Sequence, residues 1–129
     1  MRARRVTISV VDRALVLVVD DHSGFRRLAR RMLERAGFTV AEAANGAEAV
    51  AVAANLQPDV VLLDIQLPDV DGFAVARSLA LSEHPSAVVL TSTREASDYG
   101  ERIGASSAIG FLPKADLSGA ALRELLARG

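Results

Sequence analysis

Cysteine is absent from the 129 residues. No disulfide can hold this fold and no thiolate can carry its chemistry, which suits a reducing, cytoplasmic setting. Neither sign of charge is in excess: 15 basic residues against 16 acidic ones leave a formal net charge of −1. A dedicated nucleic-acid surface normally needs a basic surplus, so direct nucleic-acid binding is not expected. Long hydrophobic runs are also missing. No stretch reaches the ~20 apolar residues of a membrane span, so no membrane association is expected. The N-terminal run 6–19 is broken by Asp12 and Arg13, and no small-residue cleavage pattern precedes Asp20 and Asp21. It does not read as a signal peptide. Tyrosine occurs once, at Tyr99, and is not diagnostic.

The length fits one domain. Short apolar runs fall at 14–19, 38–43, 60–63, 87–90 and 108–112. The third and fourth are Val-rich and unbroken by polar residues, the pattern of strands covered on both faces. Helical patterns lie between them. Phe25, Leu28, Ala29, Met32, Leu33 and Ala36 recur at spacings of three and four, with Ser23 as the expected N-cap and Gly37 as C′. Further helices are expected over 47–56, 72–81 and 117–127. The stretch 97–107 holds Gly100, Gly104, Ser106 and Ser107, weak helix formers that predict a soft element. Strand and helix alternating five times predict an α/β fold with a doubly wound parallel sheet over 14–129. Residues 1–13 read as an N-terminal extension, open between a strand at 6–11 and an irregular segment.

Ligands of such sheets bind beyond the carboxyl ends of the strands. Polar residues cluster there: Asp20 and Asp21 after the first strand, Asp64 after the third, Thr91 and Ser92 after the fourth, Lys114 after the fifth. Three converging carboxylates repel one another by about 4 kcal/mol per close pair at ~4 Å and an effective dielectric of ~20. They call for a cation or must protonate. A hard divalent ion with oxygen ligands answers this, and a wet, shallow site favours Mg²⁺. Mg²⁺, an ammonium and a hydroxyl together suit the oxygens of a transferring phosphoryl group. A carboxylate can itself be the nucleophile. His22 and His84 read as ordinary loop and turn residues.

Four segments resemble the response-regulator receiver family, in order and at suitable spacing. They are residues 16–22 (VLVVDDH), 62–72 (LLDIQLPDVDG), 88–92 (VVLTS) and 107–114 (SAIGFLPK). The resemblance covers about residues 14–127. It implies a five-stranded sheet of flavodoxin-like order 2-1-3-4-5. It implies Asp64 as phosphoacceptor, and Mg²⁺ held by Asp21, Asp64 and the backbone carbonyl of Gln66, with Asp20 acting through water. Lys114 is to pair with Asp64 and then with the phosphoryl oxygens. Thr91, which the strand pattern favours, is to serve as switch hydroxyl with Phe111 as switch aromatic, although counting back from Lys114 permits Ser92. The implied partners are a sensor histidine kinase or phosphotransfer protein and a downstream protein or fused output domain. Homodimerisation across the fourth helix, fifth strand and fifth helix is a further implication. Such a chain catalyses only its own phosphorylation and dephosphorylation.

Departures from the family pattern matter. Ala115 follows Lys114 where the family often has proline, so no cis Lys-Pro peptide can form. Two rival readings stand beside the main one. A pseudo-receiver would keep the fold as a protein-binding module without phosphorylation. A Mg²⁺-dependent phosphatase resembling haloacid-dehalogenase enzymes would need a second Asp two residues after its nucleophile, whereas Asp21 and His22 follow Asp20. No second apolar pattern follows the last helix, so the chain reads either as a single-domain regulator or as the receiver part of a longer protein.

Overall fold

The computed structural model describes residues 14–128. The expectations for residues 1–13 lie outside them. Five parallel strands, β1 (Leu15–Val19), β2 (Thr39–Ala43), β3 (Val60–Asp64), β4 (Ala87–Ser92) and β5 (Gly110–Pro113), form one sheet of order β2-β1-β3-β4-β5. Helices α1 (Ser23–Arg35), α2 (Gly46–Leu56), α3 (Gly72–Ala80), α4 (Arg102–Ala105) and α5 (Gly119–Arg128) connect or follow the strands. The expected fold class and strand order are both present.

The sheet is central because its strands are apolar on both faces. Every residue of β3 is buried, and each fully buried Val or Leu contributes roughly 1.5–3 kcal/mol. Alternation sorts the side chains into two layers. Val16, Val18, Val60, Leu62, Val89 and Leu112 pack against Leu33 of α1 and Leu122 of α5. Leu17, Val19, Val61, Leu63, Val88 and Leu90 pack against Ala49 of α2, Val75 and Leu79 of α3, and the segment following β4.

Local sequence accounts for the helix ends, with one correction. Gly37 has φ 101°. Its N–H donates to Glu34 O and that of Phe38 to Leu33 O, both at 3.0 Å. This Schellman closure is the C′ role expected of glycine. Ser23, however, is the first helical residue, and the N-cap position falls on His22. No side chain caps the first-turn amides; Asp20 Oδ1 instead takes the N–H of His22, the N-cap residue itself, at 2.8 Å.

The fourth helix is the largest departure from regularity. After β4 come a 3₁₀ turn (Ala96–Tyr99), Gly100 at φ 59°, and the four residues of α4. Side chains hold this stretch in place. Tyr99 bonds Ser92 at 2.6 Å. Arg102 bonds Asp71 at 2.7 Å and lies 4.3 Å from the Phe73 ring centroid.

Candidate functional site

Strand alternation puts Asp20, Asp64, Thr91 and Lys114 in phase with Val18, Leu62, Val89 and Leu112, on the α1/α5 side of the sheet. Parallel register brings their ends level, with Asp64 the partner of Thr91. Asp20, Asp64 and Thr91 are buried, whereas Asp21 is exposed.

Lys114 ties the buried carboxylates together. Its ammonium forms an ion pair with Asp20 Oδ2 and donates to Asp64 Oδ2 at 3.1 Å. The other Asp64 oxygen accepts the Gln66 N–H at 3.0 Å. Burial pushes the Asp64 carboxyl above its ordinary range, and the Gln66 N–H and the Lys114 charge offset only part of this. Burial alone would lower the Lys114 ammonium. The Asp20 hydrogen bond and the Asp64 charge overcome it, and the net shift is upward. The carboxylates hold the ammonium charged while their own burial remains unfavourable.

The main chain around this rim is braced. Arg26 donates to Asp20 O at 2.6 Å and to Glu42 at 3.0 Å. Gly72 N–H donates to Ile65 O at 2.9 Å, and Gln66 bridges Asp71 across the loop. Asp69 caps α2 through the N–H groups of Gly46 and Ala47, at 2.9 and 3.0 Å. These bonds lower its carboxyl from the ordinary range.

Ligand atoms of Asp20, Asp21, His22 and Asp64 lie within 4.8 Å of one another. His22 Nδ1 is 3.0 Å from Asp20 Oδ1 and 3.2 Å from Asp21 Oδ1, so a residue read as an ordinary loop histidine stands inside the acidic cluster. Three carboxylates meet at this rim and Lys114 pairs with two of them, leaving negative charge and hard oxygen donors. That donor set fits Mg²⁺.

Thr91 and Ser92 occupy different faces. Thr91 is paired with Leu112, while Phe111 is the partner of Leu90 and packs in the α2/α3 layer. Thr91 and Phe111 therefore fall on opposite sides of the sheet by strand alternation. Ser92 shares the Phe111 side. Its hydroxyl bonds Tyr99, whose ring lies 6.2 Å from Phe111 and 6.0 Å from Phe73. The sequence reading missed Tyr99; its spacing of seven from Ser92 was the only available signal.

A family model described as the response regulator receiver domain matches residues 16–126. The chain belongs to the response-regulator receiver family. This receiver domain is 36% identical over 115 residues to response regulator MprA of Mycobacterium sp. strain KMS, spanning 88% of the chain and 47% of that protein. It is 40% identical over 109 residues to a protein-glutamate methylesterase/protein-glutamine glutaminase of Alkalilimnicola ehrlichii, spanning 80% of the chain and 28% of that protein. The chain thus covers less than half the length of both relatives. Among solved structures it resembles chemotaxis response regulator CheY4 of Vibrio cholerae, with 28% identity and a TM-score of 0.78, covering 90% of this chain and 98% of that one. Receiver domains act in two-component signalling with histidine kinases and output domains, and the family uses Mg²⁺. Among the described residues no helix is long and apolar enough to cross a membrane.

Proposed function

We propose that this receiver domain accepts a phosphoryl group on Asp64 from a histidine kinase or phosphotransfer protein and passes the change to a downstream protein or output domain. The observation that carries the reading is the Lys114 ammonium bound to both Asp20 and Asp64 in a rim that also holds Asp21. Asp21, Asp64 and the Gln66 carbonyl would hold Mg²⁺, with Asp20 reached through water. The ion would supply charge neutralisation for the phosphoryl oxygens.

In the transfer step an Asp64 carboxylate oxygen forms a bond to phosphorus, while the bond from phosphorus to the donor nitrogen breaks and the donor imidazole keeps the electron pair. Lys114 then has a phosphoryl oxygen to bind in place of the carboxylate oxygen, now part of an acyl phosphate. Phosphorylation brings close to two negative charges to the rim. Thr91 offers a hydroxyl on the same face as Asp64. The route outward runs through the neighbouring Ser92, because its hydroxyl bonds the only tyrosine of the soft segment. The domain labels itself once and has no separate substrate to turn over. Its setting is cytoplasmic, and a homodimer would use the α4, β5 and α5 face.

The test is acetyl phosphate treatment followed by mass spectrometry. Asp64 becomes labelled only with Mg²⁺ or Mn²⁺, and Asp64→Asn loses the label. An Asp64→Asn protein labelled to the same yield would refute the assignment, as would repeated turnover of a phosphomonoester. Thr91→Ala and Ser92→Ala separate the two hydroxyls: the one that slows labelling faces the phosphoryl group.

A further inference from the structure

Lys114 carries three N–H donors. One direction is taken by Asp20 and a second by Asp64. In the third the ammonium lies over the ring of Phe25, 4.8 Å from its centroid. Periodicity alone makes Phe25 a packing residue of α1, and the ring does pack against the α1/α5 layer. Its position above a lysine whose side chain is only 10% exposed adds a second role. An aromatic face is negative at its centre and attracts a cation most strongly where water is excluded.

We propose that Phe25 is a positioning residue for phosphoryl transfer, holding the Lys114 ammonium through its ring face. The inference rests on the reading of Asp64 as phosphoacceptor and adds a residue to it. The Asp64 contact changes during the reaction, because one Asp64 oxygen becomes the bridging oxygen of an acyl phosphate with little charge. The ring contact does not change. Phe25, with Asp20, is thus a fixed side of the lysine's socket, keeping the ammonium in place as its Asp64 partner exchanges. The first turn of α1 puts Phe25 there, because α1 starts at the rim directly after Asp20, Asp21 and His22.

The test separates ring charge from ring shape. Phenylalanine analogues with one, two and three fluorines are placed at position 25 alone. Fluorine withdraws electrons from the ring face and barely alters its size. The rate of Asp64 labelling by acetyl phosphate with Mg²⁺ should fall stepwise, by about two- to thirtyfold across the series, the range of a cation–π contact from exposed to desolvated. The Lys114 ammonium signal in nitrogen-resolved NMR should broaden in the same order, while the urea midpoint stays constant. Phe25→Trp should retain the wild-type rate, and Phe25→Leu should lose as much as the trifluorinated ring. A flat labelling rate, or a rate that falls only in step with stability, overturns the proposal. If the unsubstituted protein takes no label at Asp64, the reading of the phosphoacceptor fails, and this inference with it.

Discussion

Replacing Gly72 by alanine tests how tightly the phosphoacceptor loop is built. A Cβ at Gly72 would lie 2.6 Å from Asp64 O, 2.6 Å from Ile65 Cα and 2.8 Å from Ile65 O. All three atoms are main chain, so no side chain can swing away. Ordinary contact begins at 3.4 Å; the difference, 3.4 minus 2.6, requires the loop to retreat by about 0.8 Å. Overpacking of this kind costs about 1–3 kcal/mol. The retreat also pulls Gly72 N–H from Ile65 O, worth about 1 kcal/mol. The total of about 2–4 kcal/mol should appear in urea unfolding as a lower midpoint with an unchanged slope. Since the displaced atoms belong to Asp64 and its neighbour, labelling at Asp64 should slow as well. Gly24→Ala is the matched control. It is helical, nothing lies within 4 Å of its Cβ, and it should gain about 0.5 kcal/mol from helix propensity. A Gly72→Ala protein within 0.5 kcal/mol of wild type (the scale of a neutral surface change) that labels normally would refute the steric argument.

Two further predictions concern the charges. Lys114→Met leaves buried Asp20 and Asp64 facing each other without their cation, and should destabilise by about 3–5 kcal/mol in chemical unfolding. Mg²⁺ should restore more stability to this variant than to wild type, and equal responses would contradict the charge balance drawn for the rim. Asp64→Asn should raise stability at neutral pH. Burial raises the folded carboxyl above its unfolded value, so its contribution is fully present below the unfolded value and lost as pH rises through the folded one. Thermal melts should therefore show the Asn variant's advantage at neutral pH shrinking as the wild-type Asp64 protonates in acid. An advantage that grows in acid would reverse the sign.

Much of the site was legible because a parallel sheet collects its strand ends on one rim. Residues 20, 64, 91 and 114 could be placed at strand ends from the apolar runs, whereas their common face came from the register of the sheet. The features that escaped depend on contacts distant in sequence. Ser23 looked like a cap by residue type, yet the helix begins at Ser23 itself, with His22 as the N-cap residue and its N–H held by Asp20. The segment after β4 was seen to be soft from Gly100 and Gly104. What holds it, Arg102 on Asp71 and Phe73, depends on how that segment meets α3. That Thr91 and Phe111 sit on opposite faces depends on the β4–β5 register, in which Phe111 pairs with Leu90 and not with Thr91. Phe25 fitted the apolar stripe of α1 so well that nothing marked it as a neighbour of Lys114.

The Ser92–Tyr99 bond also has a consequence for measurement. The chain has no tryptophan and one tyrosine, so its intrinsic near-ultraviolet emission comes essentially from a single ring. That ring sits between Phe73 and Phe111, with its hydroxyl on the last residue of β4. Phenol emission responds to the partner of the hydroxyl. The unlabelled protein therefore carries a built-in optical reporter of the segment after β4, and its response to phosphodonor or kinase can be followed in a stopped-flow cell without introducing a dye.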